Sequence, residues 1–182
     1  NGLPPIVKER PAEGTRRVLL TVSYDGTAYA GWQWQDNALS VQQVLEEALA
    51  HLTGEKTRVT GASRTDAGVH ALGQRAHFDT ASRIPPDKYP FALNTLLPPD
   101  IRVLEGVAVP ADFHARFDAR GKRYTYRIYN SRISNPFYVH RAYFYPKVLD
   151  EAVMDRAARM FEGTHDFAAV RSVGTDVKST VR

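Results

Sequence analysis

Val18, Leu20, Val22 and Tyr24 alternate with Leu19, Thr21 and Ser23, the period of a β-strand with one strongly apolar face. Asp25-Gly26 then turns the chain. Ser40 followed three residues later by Gln43 is a capping box, and Val41, Val44, Leu45, Ala48, Leu49 and Leu52 fall behind it at helical spacing. That pattern predicts a helix laid on a sheet and closed near Gly54. Arg58 to Thr60 has strand character and leads into a glycine-bounded loop. From Gln74 to Asp79 alternation resumes: Ala76 and Phe78 share one face, while Arg75 and His77 share the other, predicted to be a solvated edge.

Further along, Phe91, Leu93 and Leu96 suggest a short helix between prolines in the stretch Pro85 to Leu97, and Ile101 to Val109 reads as a strand. Pro136 to Tyr145 is aromatic and is predicted to form a strand after a loop. Asp150 can cap a helix whose apolar positions Val153, Met154, Ala157, Ala158 and Phe161 share one face, with Gly163 closing it. Strands and helices interleave throughout without an internal repeat. The class is therefore α+β, or mixed α/β, with a mixed, largely antiparallel sheet and flanking helices.

Composition narrows the function classes more than it changes the fold. The 182 residues contain no cysteine, which excludes a disulfide framework, a thiolate nucleophile and a cysteine zinc site. Net charge is +4 and the isoelectric point near 9.4, which permits an anionic partner without demanding one. No apolar run approaches the roughly 20 residues needed to span a bilayer, and no secretory pattern opens the chain, so it reads as cytosolic. Asn1 to Thr15 mixes prolines with charges and is expected to be a flexible or loosely docked tail. The division expected from these signals is a tail over 1–15, a first half over 16–110 and a second half over 111–182.

Candidate chemistry gathers in Gly61-Ala62-Ser63-Arg64-Thr65-Asp66-Ala67-Gly68-Val69-His70-Ala71, which places a carboxylate, a guanidinium and an imidazole in one loop. Glycine allows positive φ and close backbone approach, so Gly61 and Gly68 indicate a shaped loop. A plain turn, with Asp66 accepting a backbone N–H near Gly68 and Arg64 neutralising it, is the simpler alternative. Tyr29, Trp32 and Trp34 lie in a glutamine-rich loop, where they serve as anchoring aromatics, as we prefer for Trp32, or as a stacking platform for bases. Arg116, Arg120, Lys122, Arg123 and Arg127 form the densest basic cluster, interleaved with Phe117, Tyr124, Tyr126 and Tyr129. Such interleaving suits a nucleic-acid groove, with a solvated strand edge as the alternative. Strand parity would put Tyr124, Tyr126 and Ile128 on one face, making Tyr124 either a core tyrosine or the floor of a pocket.

These residues also carry a family resemblance. Arg64-Thr65-Asp66-Ala67-Gly68-Val69-His70 resembles the active-site motif of the TruA family of tRNA pseudouridine synthases. Tyr24-Asp25-Gly26, Gly31-Trp32-Gln33 and Ser40-Val41-Gln42 look like that family's first strand, loop and helix start. Phe113-His114-Ala115-Arg116-Phe117, Lys122-Arg123-Tyr124-Thr125-Tyr126 and Gly163-Thr164-His165-Asp166-Phe167 match in the same order, and Ser63 departs where glycine is frequent. The resemblance implies the pseudouridine synthase fold, with an eight-stranded mixed sheet in two halves. It implies an isomerase converting uridine to pseudouridine at positions 38, 39 and 40 of the tRNA anticodon arm, and a homodimer. Family chains continue past the point where Arg182 stands, so a fragment is expected.

By the same resemblance Asp66 is the catalytic aspartate, acting as a nucleophile on C1′ or C6 or as a base at the ribose. Arg64 is expected to pair with Asp66 and help hold opened RNA, and Tyr124 to pack beneath the uracil. Arg116, Lys122, Arg123 and Arg127 are candidate phosphate contacts, Arg75 and His77 could line an RNA-facing edge, and His70 is expected to make structural hydrogen bonds. No metal or organic cofactor is implied, since the histidines lack ligand spacing. Two other readings compete: a nucleoside or glycoside hydrolase pairing Asp66 with Asp25 or Asp79, and a non-catalytic RNA-binding module.

Overall fold

In the computed structural model, which describes residues 8–170 and 180–181, the chain forms two compact units that divide between Tyr124 and Thr125. The first is built on a four-stranded antiparallel sheet: β1 (Arg16–Tyr24), β2 (Thr60–Gly61), β3 (Ala71–Thr80) and β4 (Ile101–Val109), in the order β2-β3-β1-β4. The apolar alternation of β1 puts Val18, Leu20, Val22 and Tyr24 into the main core, where α1 (Val41–Thr53) contributes Val41, Leu45, Ala48 and Leu49. Ser40 Oγ accepts the Gln43 N–H at 3.2 Å, and Gly54 ends the helix in the left-handed region. Gln43 turns its side-chain amide to Glu47 at 3.0 Å, one turn on, so the reciprocal arm of the box is spent within the helix.

The short helix α2 (Tyr89–Leu93) differs in phase from the sequence expectation. Tyr89, Leu93 and Leu97 are buried, whereas Phe91 and Leu96 are exposed. Spacing of four along a helical stretch selects the buried set, and the hydroxyl of Tyr89 hid it from a reading keyed to pure hydrocarbons. Strand character near Arg58 narrows to Thr60–Gly61.

A larger correction concerns the second face of the sheet. His77 is only 5% exposed, not solvated, because residues 113–118 fold over it. Leu19, Ala62 and Ala115 form a small apolar cluster there with Val107, Val109 and Phe113 packed on it. His77 Nδ1 accepts the Ala115 N–H at 3.1 Å, and buried Arg17 donates to the Phe113 carbonyl at 2.7 Å and to both oxygens of Asp79 at 2.7 and 2.8 Å. Accepting an N–H requires a neutral imidazole. Burial, reinforced by Arg17 and His114, pushes the His77 pKa down to about 4, consistent with that role. Residues 8–15 also touch this unit: Lys8 pairs with Asp118 at 2.5 Å and the Glu9 carbonyl accepts from Arg17 at 3.0 Å. The earlier part of the expected tail, 1–7, lies outside the described residues.

The second unit contains β5 (Ile128–Asn130) paired in parallel with β6 (Tyr143–Tyr145), and α3 (Glu151–Arg159). Asp150 caps α3 through the Val153 N–H at 2.9 Å, as its position suggests. The helix ends at Arg159, before Gly163, and the strand expected over Pro136 to Tyr145 contracts to its last three residues. A turn of 3₁₀ helix at Pro136–Tyr138 takes the start of that stretch, initiated by Asn135 accepting the Phe137 N–H. The described residues thus hold six strands in two sheets where the resemblance implies eight. Most of the segment from Ser172 to Arg182 lies outside them. No helix among the described residues is long and apolar enough to cross a membrane.

Candidate active site

Between β2 and β3 the chain makes the loop that carries Arg64 and Asp66. Its backbone is held from several elements. The Thr65 carbonyl accepts the Trp32 N–H at 3.0 Å, and the Gly68 N–H donates to the Tyr29 carbonyl at 3.2 Å. The Tyr24 hydroxyl, buried at the end of β1, lies 2.7 Å from Thr65 Oγ1. From β3, Gln74 closes a two-bond clasp on Ser63, its Oε1 accepting the Ser63 N–H and its Nε2 donating to the Ser63 carbonyl. His70 Nδ1 accepts the Gly26 N–H at 3.0 Å and lies 3.0 Å from Asp25 Oδ1, so it finds a partner in the Asp25-Gly26 turn in either tautomer.

Sterics add to the hydrogen bonds. Gly31 has φ +90°, and a Cβ there would stand 2.4 Å from the Thr65 carbonyl oxygen. Only glycine lets the two loops approach this closely. At Gly61 the missing side chain is replaced by the Trp32 indole, which a Cβ would meet at 2.6 Å. Trp32 is therefore the anchoring aromatic that was preferred for it, 2% exposed beneath the loop.

Asp66 itself is exposed and lines a cleft of about 430 Å³ together with Ala30, Gln33, Trp34, Gln35, Arg64, Thr65 and Ala67. A backbone bond from the Val69 N–H to the Asp66 carbonyl at 3.2 Å forms the turn, leaving the carboxylate directed to other work than capping it. The expected Arg64–Asp66 pair is not formed: among the described residues no ion pair joins them, and both side chains meet solvent.

Tyr124 is 64% exposed, which overturns the core alternative, and no strand begins until Ile128. Its hydroxyl lies 2.6 Å from Ser63 Oγ, linking the tyrosine motif to the aspartate loop at the position where glycine was the family expectation. Arg116, Lys122 and Arg123 are exposed along the first unit's last stretch, and Arg127 is exposed in the second unit. The competing second carboxylates are occupied elsewhere. Asp79 binds Arg17, and Asp25 caps the 3₁₀ turn Gly26–Ala28 through the Thr27 N–H and hydroxyl. Among the described residues Asp66 is the one carboxylate lining its cleft, and the paired-acid arrangement a hydrolase would need is not formed there. Sequence reasoning missed Gln33, Gln35 and Thr65 as cleft walls and Gln74 as a clasp; the glutamine richness around Trp32 was the available signal.

The α+β unit thus holds a loop-borne aspartate and arginine beside an open cleft, with the Tyr124 hydroxyl against the same loop. Residues 20–118 match the family model described as tRNA pseudouridine synthase. A protein of Acetivibrio thermocellus named tRNA pseudouridine synthase A is 53% identical over 167 residues, covering 92% of this chain and 68% of the relative. Relatives of the same name from Ruminiclostridium cellulolyticum, 50% identical over the same shares, and Syntrophotalea carbinolica, 47% identical over 91% of this chain and 66% of the relative, agree. The chain belongs to the tRNA pseudouridine synthase family, whose members are isomerases.

Proposed function

We propose that this chain isomerises uridine to pseudouridine at positions 38, 39 and 40 of the tRNA anticodon arm, with Asp66 as its catalytic carboxylate. The observation that carries the assignment is that, among the described residues, Asp66 is the one carboxylate in a cleft whose backbone walls are fixed by β1, β3 and the 26–34 loop. The reaction breaks the C1′–N1 bond, forms C1′–C5, and moves a proton from C5 while N1 gains one, so it needs neither redox chemistry nor net hydrolysis. A carboxylate can begin it as a nucleophile at C1′ or C6, or as a base at the ribose. The target nucleotide must first leave its stack, at a cost of a few kcal/mol.

Arg64 offers a guanidinium on the cleft wall that can bind a phosphate of the opened RNA. Tyr124, its hydroxyl beside Ser63, is the group we assign beneath the uracil and near the C5 proton. Arg116, Lys122, Arg123 and Arg127 contact phosphates, and His70 shapes the turn that supports the loop. In this reading residues 16–110 supply the catalytic aspartate and residues 111–182 the basic groove, and the enzyme works on tRNA in the cytoplasm as a homodimer without metal.

Asp66→Asn tests the assignment, because asparagine keeps the shape and loses the anion. Pseudouridine formation in an anticodon stem-loop, followed by nucleoside analysis, is expected to be undetectable while RNA affinity stays within about tenfold, or ~1.4 kcal/mol. Conversion at even a tenth of the wild-type rate would overturn it, and release of free uracil would restore the hydrolase reading.

A further inference from the structure

Three aromatic residues stand in the loop between β1 and α1, and they do different things. Tyr29 and Trp32 are buried and support the fold, whereas Trp34 is 39% exposed and lines the cleft with Asp66. Its backbone is preset: the Trp34 N–H donates to Gln42 Oε1 at 2.8 Å. Gln42, buried in the first turn of α1, is itself fixed by donating to Glu46 Oε1 at 2.9 Å and to the Val59 carbonyl at 3.0 Å. Gln35 ties the far end of the loop to the Ala30 carbonyl at 2.6 Å. A lone exposed aromatic needs no explanation. One held on the wall of the cleft that Asp66 also lines is placed to meet what the cleft receives.

We propose that Trp34 is a substrate-positioning residue that stacks on the base of the uridine being isomerised. This rests on the reading of the Asp66 cleft as the active site. The chemistry favours a flat contact. After the C1′–N1 bond breaks, the uracil must present C5 where N1 had been, and an aromatic face holds the ring whichever edge points at the sugar. A partner hydrogen-bonded to one edge would have to be released and remade. Stacking also offsets the contacts that the base loses on leaving the RNA stack.

The protein has two tryptophans, which gives a readout independent of activity. Trp32 is shielded, so an RNA-dependent change in emission reports Trp34. Titrating the full chain with an anticodon stem-loop already carrying pseudouridine is expected to quench emission, and Trp34→Phe to abolish the quench while leaving the Trp32 signal. A stem-loop with an abasic residue at the target position is expected to bind without quenching. Trp34→Ala is expected to lower kcat/KM by about tenfold to a hundredfold, with Trp34→Phe recovering most of it. Undiminished quenching by the abasic RNA, or kcat/KM within about twofold of wild type in the folded Trp34→Ala protein, would overturn the proposal. If Asp66→Asn remains active, the site assignment fails; if it is inactive and Trp34 emission does not respond to RNA, only the stacking fails.

Discussion

The aspartate loop and the basic stretch that follows β4 are both polar, both exposed and both assigned to RNA, yet they are built in opposite ways. Residues 61–70 are clasped by Gln74, pinned by Tyr24 and by the Tyr29 and Trp32 backbones, and pressed against Gly31. From Lys122 to Arg127 the chain has no regular structure and its side chains are exposed, with one tie to the aspartate loop where the Tyr124 hydroxyl lies 2.6 Å from Ser63 Oγ. The roles proposed for the two regions account for the difference. A catalytic carboxylate, as nucleophile or base, tolerates little displacement, so on that proposal the backbone under Asp66 must be fixed before substrate arrives. Phosphate neutralisation works over several ångströms through flexible side chains, so position can be left loose while charge is conserved.

Displacing the rigid loop should give the largest effect. Gly31→Ala places a methyl group 2.4 Å from the Thr65 carbonyl oxygen at φ +90°, so the 65–67 backbone must retreat. We expect turnover to fall by about a hundredfold, the scale associated with misplacing a reacting group by about 1 Å. Gly54→Ala is the matched control, since Gly54 has φ +75° but open space around a Cβ. Both variants should lose on the order of 1 kcal/mol of stability from the left-handed backbone, and only Gly31→Ala should lose activity. Equal activity in the two would mean that the loop need not be held.

The attachment of residues 113–118 offers an intermediate effect, seen in stability against pH. The folded-state pKa of His77 is depressed from 6.5 to about 4, so its contribution is complete above pH 6.5 and is lost as pH falls through that interval. The unfolded chain takes up the proton first, and the loss levels off once native His77 is also protonated. His114, lowered chiefly by burial and then by Arg17, adds in the same direction. Buried Arg17 and its partner Asp79 act on His77, and Arg17, Asp118, Lys8 and Arg116 act on His114. Unfolding free energies from urea titrations at pH 7 and pH 4.5 should differ by on the order of 2 to 3 kcal/mol more in wild type than in His77→Asn, whose amide oxygen can still accept the Ala115 N–H. An equal acid loss in both proteins would show that His77 does not carry the linkage.

How much of this was legible depended on whether the cause was local. The β1 alternation, the Ser40 cap and the Asp150 cap are set by neighbours within four residues, and each formed where its pattern stood. The Asp66 motif was visible because glycines and ionisable groups crowd one stretch, although its clasp by Gln74 needed the pairing of β2 with β3. His77 was misread because the cover over it comes from residues 113–118, nearly forty positions away. The core alternative for Tyr124 failed for the complementary reason: strand parity presumes a strand, and residues 121–127 form none. Long-range cover and unrealised periodicity leave no local trace in composition.

The loose region should yield the smallest effects per residue and the most uniform ones. If Arg116, Lys122, Arg123 and Arg127 each neutralise one phosphate, replacing any one with glutamine should reduce the slope of log K against log salt by roughly 0.7 to 0.9, the lower value applying to single strands. At 0.1 M salt that corresponds to roughly a five- to eightfold loss of affinity per residue, well below the expected cost of moving the aspartate loop. Because all four side chains are exposed, Arg116 on the packed 113–118 segment and the other three on chain without regular structure, the four losses should add on a logarithmic scale, and turnover at saturating RNA should stay near wild type. Binding isotherms at three salt concentrations for the single variants and one quadruple variant provide the measurement. Slopes unchanged in all four single variants would assign the cluster to a solvated surface. A turnover loss in any one of them at saturation would show that the basic stretch is as position-sensitive as the aspartate loop, and the contrast between the two regions would fail.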